Sequence, residues 1–201
     1  VSQKSSEGAR PNRAGLRREV DENTALFTLP NPNTPSGVHI GEERLKETCA
    51  IAEKVDAIVL CDKIYRGLKD GYTPSVMDIY KKGVVTSSMS KVWPMAGTRG
   101  GWICTNDHEI YKRLETRRSY DTICGPVFDE LIAAIAIENQ EVIFNRNRKI
   151  VNHNQDIVRQ WLKGQTRLTG QLVEGIPIAF FEFDGSLSST EFGEKLFNER
   201  G

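Results

Sequence analysis

The stretch Ser88-Met89-Ser90-Lys91-Val92-Trp93-Pro94-Met95-Ala96-Gly97-Thr98-Arg99-Gly100-Gly101-Trp102 gathers the residue types best suited to chemistry in this chain. A lysine at the end of a buried strand loses hydration, which favours the neutral, nucleophilic amine; Lys91 follows the apolar run Val84-Val85-Thr86 and is expected to be such a lysine. Ser88 precedes it by three residues and Arg99 follows it by eight, among glycines that let backbone approach a ligand closely. Hydroxyls and a guanidinium beside a reactive amine suit a phosphate ester that also carries an aldehyde. The same residue types also furnish ordinary solvated loops, so this stretch alone leaves both readings open.

The elements around it decide where such residues meet. The apolar run Ala25-Leu26-Phe27-Thr28-Leu29 breaks at Pro30 into a turn-rich segment, Asn31 to Gly37. Leu45, Cys49 and Ala52 then fall at helical spacing from about Gly41 to Lys54, which predicts an amphipathic helix. Further runs, Ala57-Ile58-Val59-Leu60-Cys61, Val84-Val85-Thr86 and Trp102-Ile103-Cys104, stop at Asp62, Ser87-Ser88 and Asn106. Strands apolar on both faces and separated by a helix predict an α/β fold with a mostly parallel sheet layered between helices. Ligands of such sheets gather at the carboxyl ends of the strands. Parallel neighbours would therefore bring Asn31–Gly37, Asp62–Tyr65 and Ser88–Lys91 to one crevice.

Beyond Asn106, Asp107 is a candidate cap for a helix reaching about Tyr120. From Val127 to about Leu162 the chain reads as helical, with Phe128, Leu131, Ile135, Val142, Ile150 and Ile157 among its apolar positions. That exceeds the usual length, so a kink or a split is expected, and the helix could link two domains. Ile178 to Phe183 reads as a strand and Ser188 or Ser189 as the cap of a last helix, Thr190 to Glu199. Residues 1–15, rich in Ser and Gly and without apolar periodicity, read as a loop or a cut boundary.

Composition narrows the function classes. Lys+Arg and Asp+Glu are both 27, a formal net charge of zero, which argues against a broadly basic nucleic-acid binder. No apolar stretch approaches the roughly 20 residues of a spanning helix, and Val1 to Arg10 lack the apolar middle of a signal peptide. A cytoplasmic protein with no membrane partner is the expectation. Cys49, Cys61, Cys104 and Cys124 lie in apolar segments without metal-ligand spacing and are expected to be small core residues. His39, His108 and His153 are isolated, so no metal site is expected.

Taken together, Asn31-Pro32-Asn33-Thr34-Pro35-Ser36-Gly37, Asp62-Lys63-Ile64-Tyr65, Ser88-Met89-Ser90-Lys91 and Gly97-Thr98-Arg99-Gly100-Gly101-Trp102 resemble, in order and spacing, the core motifs of class I/II aminotransferases. These are fold-type-I enzymes dependent on pyridoxal 5′-phosphate. The resemblance runs from about Leu16 to Gly201. It implies a partial cofactor-binding large domain over 16–145 and the start of a small α+β domain over 146–201. It also implies amino-acid and 2-oxo-acid substrates and a homodimer whose active sites draw on both subunits.

By the same resemblance Lys91 forms the Schiff base with the cofactor and, once freed, shuttles the proton between Cα and C4′. Asp62 pairs with the pyridine nitrogen, which keeps the ring an electron sink. Tyr65 bonds the 3′-oxygen; Ser88 and Arg99 hold the phosphate, with Ser90 as a further candidate. Asn31 is expected to hold the turn. One position departs from the pattern: where the family usually has a second Asn on the 3′-oxygen, this chain has Thr34, a shorter donor. The family's upstream phosphate turn and stacking aromatic, and its terminal carboxylate-binding arginine, have no counterparts here, so a central portion of a longer enzyme is expected. Alternatives are a lyase, cyclase or oxidase acting on an amino acid with the same cofactor, and a non-catalytic effector-binding domain of a regulator, which an upstream winged helix would reveal.

Overall fold

A computed structural model describes residues 13–69 and 73–201. Helix α1 (Arg13–Glu19) leads to β1 (Leu26–Pro30), α2 (Glu42–Lys54), β2 (Ile58–Asp62), α3 (Val76–Ile79), β3 (Gly83–Ser88) and β4 (Gly101–Thr105). The strands lie side by side in sequence order. β1 and β2 are parallel, β2 and β3 are parallel, and β4 returns antiparallel to β3. The expected mostly parallel α/β sheet is what forms. The expected loop over 1–15 is corrected at its end, because α1 already starts at Arg13; residues 1–12 lie outside the described part.

One core joins the sheet to its helices: Phe27, Val59, Cys61 and Val85 pack with Leu45, Cys49 and Ala52 of α2 and with Val76 of α3. Here the helical spacing read from the sequence does its work, since Leu45, Cys49 and Ala52 are the buried residues of α2. Burial pushes the Cys49 and Cys61 thiols up to about 11, so both stay protonated core residues. Cys104 and Cys124 correct the cysteine expectation, for both are exposed. Cys104 lies on β4, the last strand in the sheet order, and Cys124 in the turn after α4 (His108–Asp121).

Asp107 caps α4 as expected, its carboxylate accepting from the backbone N–H groups of Glu109 and Ile110 at 3.0 Å each. The N–H of Ile110, then that of Glu109, holds this carboxyl below its usual range. The long helical stretch is split into α5 (Val127–Glu138) and α6 (Gln140–Lys163). The break falls at Asn139, whose side-chain Nδ2 donates to the Ile135 carbonyl at 2.8 Å and so competes with the backbone ladder.

β5 (Leu168–Leu172) and β6 (Ala179–Phe183) form an antiparallel pair, and α7 (Ser189–Arg200) follows behind a capping box made by Ser188 and Glu191. Gln155 of α6 donates to the Val173 and Ile176 carbonyls at 2.8 and 2.9 Å, which ties this pair to the helix. Sequence reasoning missed α1, the four-residue α3 and β5, whose Gly170 interrupts a weak alternation. Among the described residues no helix is long and apolar enough to cross a membrane.

Candidate functional site

Parallel pairing puts the carboxyl ends of three strands level: Pro30 stands opposite Asp62, and Asp62 opposite Thr86. The ladder continues past the strand ends, with the Asn31 N–H on the Asp62 carbonyl and the Lys63 N–H on the Thr86 carbonyl, both at 2.8 Å. The Ser87 hydroxyl adds a 3.4 Å bond to the Lys63 carbonyl. The three segments singled out in the sequence therefore leave the sheet side by side.

The first segment is built on its own polar groups. Asn31 is buried, and its amide clasps the backbone of Ile40, donating to the carbonyl at 3.1 Å and accepting from the N–H at 2.9 Å. Ser36 donates to the Asn33 side chain at 2.8 Å and the Gly37 N–H to the Asn33 carbonyl at 2.8 Å. Gly37 sits at φ +73, and a Cβ there would come within 3.3 Å of Ile176, so the turn needs glycine. Asn31→Ala is expected to leave both backbone groups of Ile40 without their partner and to cost about 2–3 kcal/mol, measured by chemical denaturation. A loss below about 0.5 kcal/mol would show that the clasp is dispensable. Thr34, in the same loop, is exposed, and its hydroxyl makes no hydrogen bond among the described residues.

Asp62 closes β2 and is exposed. Its Oδ1 accepts from the Ile64 N–H at 3.0 Å, and Oδ2 has no partner among the described residues. Tyr65 is half-buried with its phenol equally uncommitted. After it, Gly67 at φ +129 lets the chain pass the Phe144 ring, which a Cβ would meet at 2.9 Å.

Ser88 ends β3, and its Oγ accepts from the Ser90 N–H at 3.2 Å, which leaves its own proton free to donate. Ser90 is half-buried, with its hydroxyl uncommitted among the described residues. Arg99 is exposed in the left-handed region at φ 50, after the 3-10 turn Ala96–Thr98. It donates one N–H to the Ala96 carbonyl at 2.9 Å and retains others of its fork.

Lys91 corrects the sequence expectation. It is exposed, because the chain has already left β3 at Ser88. The desolvated amine is instead Lys63, which follows β2 in alternation with the buried Val59 and Cys61, is 5% exposed and has no hydrogen-bond partner for Nζ among the described residues. Burial, then the charge of Arg66, pulls it down to about 8. Strand alternation from Val59 through Cys61 was the signal that could have found it.

The loop carrying Lys91 rests on a second core in which Met89, Val92 and Trp93 pack with Leu68, Ala136, Phe144 and Val151. Trp93 lies against Phe144 with ring centroids 4.6 Å apart. The three segments that leave the sheet side by side and the turn at Arg99 carry an amine, a carboxylate, a phenol, a guanidinium and three hydroxyls, while Tyr65 and Arg99 line separate cavities. Those residue types suit a phosphorylated aromatic aldehyde.

A family profile described as aminotransferase class I and II matches residues 2–201. The S-alkyl-thiohydroximate lyase of Arabidopsis thaliana is 29% identical over 160 residues, covering 74% of this chain and 35% of that protein. Capreomycidine synthase of Streptomyces vinaceus is 23% identical over 197 residues, covering 96% and 50%. The crystal structure of a pyridoxal-phosphate-dependent aminotransferase from Streptococcus suis superposes with a TM-score of 0.86 at 28% identity, over 98% of this chain and 52% of that one. The chain spans between about a third and a half of the length of these proteins. With its motifs at the carboxyl ends of a mostly parallel sheet and the family profile matched almost end to end, the chain belongs to the class I and II aminotransferases.

Proposed function

We propose that the protein containing this chain uses pyridoxal 5′-phosphate to transfer an amino group between an amino acid and a 2-oxo acid. The observation that carries the reading is the side-by-side exit, from three neighbouring strand ends, of segments that bear polar side chains with atoms left uncommitted among the described residues. That donor set fits the cofactor: Arg99, Ser88 and Ser90 offer charge-assisted and neutral donors to a phosphate, and the free Oδ2 of Asp62 suits a protonated ring nitrogen. Tyr65 and Thr34 supply hydroxyls for a phenolic oxygen.

When bound, the cofactor supplies an aldehyde that captures the substrate amine and a ring that withdraws electrons from its Cα. Lys91 would anchor the cofactor and, once displaced by the substrate amine, would accept the Cα proton on Nζ and carry it across the imine nitrogen. Asp62 would hold a protonated ring nitrogen, while Tyr65 and Thr34 would hydrogen-bond the phenolic oxygen. The resemblance to homodimeric enzymes supports a second copy of the chain as the assembly partner.

A second reading is elimination from the same substrate carbanion, favoured by the lyase relative at 29% identity and by Thr34 at the family's Asn position. Purified protein given an amino acid in a single turnover separates the two. Amino-group transfer yields one keto acid per site with the cofactor left in its amine form. Release of the substrate's β-substituent with ammonia, the cofactor unchanged, would establish the lyase. Absence of any visible cofactor band in the purified protein would overturn both.

A further inference from the structure

The lysine proposed to anchor the cofactor is exposed on a flexible four-carbon stem, so where its Nζ can reach depends on how firmly residues 88–95 hold their backbone. The near side of that turn is fixed by local bonds: the Met89 N–H to the Gly100 carbonyl at 3.0 Å, the Met95 N–H to the Met89 carbonyl at 2.8 Å and the Ser90 N–H to Ser88 Oγ at 3.2 Å. The Val92–Trp93 peptide, the second after Lys91, is held differently. The carbonyl of Val92 accepts 2.9 Å from Nδ2 of Asn147, a residue 55 positions away on α6.

Asn147 is buried at 8% exposure. Asparagine is a poor choice for a helix interior, where its side chain competes for backbone and an unpaired amide would be costly. Its amide orientation is set independently, because Arg146 NH1 donates to Oδ1 at 3.1 Å and so leaves Nδ2 facing the carbonyl. Around this bond, Trp93 and Phe144 pack ring against ring and exclude water.

We propose that Asn147 is a positioning residue for Lys91: through the Val92 carbonyl it fixes the backbone from which the lysine reaches the cofactor. The proposal rests on the reading of Lys91 given above. It predicts that removing the donor changes the electronic state of the bound cofactor and does more than lower stability.

The test is a pH titration of the visible absorbance of the cofactor in the purified holoprotein, beside its thermal unfolding. Asn147→Asp keeps size and shape but loses the donor when ionised. Its titration midpoint is expected to move by on the order of half a pH unit, and the rate of a single turnover to fall about tenfold with substrate affinity unchanged. Arg146→Ala, an exposed change that frees the amide to rotate, is expected to shift the midpoint in the same direction by less, and it decides the matter if Asn147→Asp does not fold. Midpoints that coincide with the parent's, whatever happens to thermal stability, overturn the proposal and leave Asn147 as packing. A visible band that survives Lys91→Ala overturns the anchoring reading itself, a separate outcome.

Discussion

Replacing Lys91 by alanine is expected to lower turnover with an amino acid by about a thousandfold or more, since one side chain is asked both to hold the cofactor and to carry the Cα proton. Lys91→Arg should be as inactive: guanidinium keeps the positive charge but neither condenses with an aldehyde nor gives up its proton near neutral pH. The pair therefore separates amine chemistry from electrostatics. Borohydride reduction of the holoprotein followed by peptide mapping supplies an independent readout, because the reduced cofactor should be found on Lys91 alone. The informative competitor is Lys63, an amine one strand away that has no hydrogen-bond partner among the described residues and that burial has already pulled down to about 8. Its position argues against it: just past β2 it is buried in alternation with Val59 and Cys61, which pack in the core with α2 and α3, whereas Asp62 is exposed. Label on Lys63, or turnover within tenfold of the parent in Lys91→Ala, would sink the assignment of Lys91.

The contrast between these lysines shows what the sequence could and could not convey. Apolar runs ending in polar clusters located β1, β2 and β3 and their carboxyl ends, because strands buried on both faces write a continuous signal. The clasp of Asn31 on Ile40 was legible as a turn-holding residue, since Asn-Pro turns need a local polar partner. Lys91 was misjudged in its surroundings, because hydration depends on where the chain leaves the sheet, and a boundary error of two or three residues reverses it. Asn147 carried no signal at all: a single asparagine in a 24-residue helix acquires meaning only once Val92 is brought beside it. For α5, composition gave the helix but not its surroundings, and Phe128 and Leu131 remain exposed at 81% and 56%. Periodicity reports that a face is apolar, not what meets it.

Lys63 itself supports the second large expectation, that Lys63→Met stabilises the fold at neutral pH. The ammonium has no hydrogen-bond partner among the described residues, and the groups that shift it work against each other, with burial and Arg66 lowering it and Cys61 and Asp78 raising it by less. A lysine at about 8 in the fold and 10.5 in the unfolded chain penalises folding by up to about 3 kcal/mol. Below about pH 8 both states hold the proton and the whole penalty applies; between about 8 and 10.5 the unfolded chain binds the extra proton, so stability rises with pH, and above 10.5 the penalty is gone. Methionine retains the stem's volume without the charge. The difference between variant and parent should then be largest at pH 7 and shrink as pH climbs through this window, a comparison that cancels the titration of every other group. Chemical denaturation at pH 7 and pH 9.5 checks it. A variant less stable than the parent at pH 7, or a difference that does not change with pH, would mean that the ammonium finds compensation at the end of β2 that its geometry among the described residues does not provide.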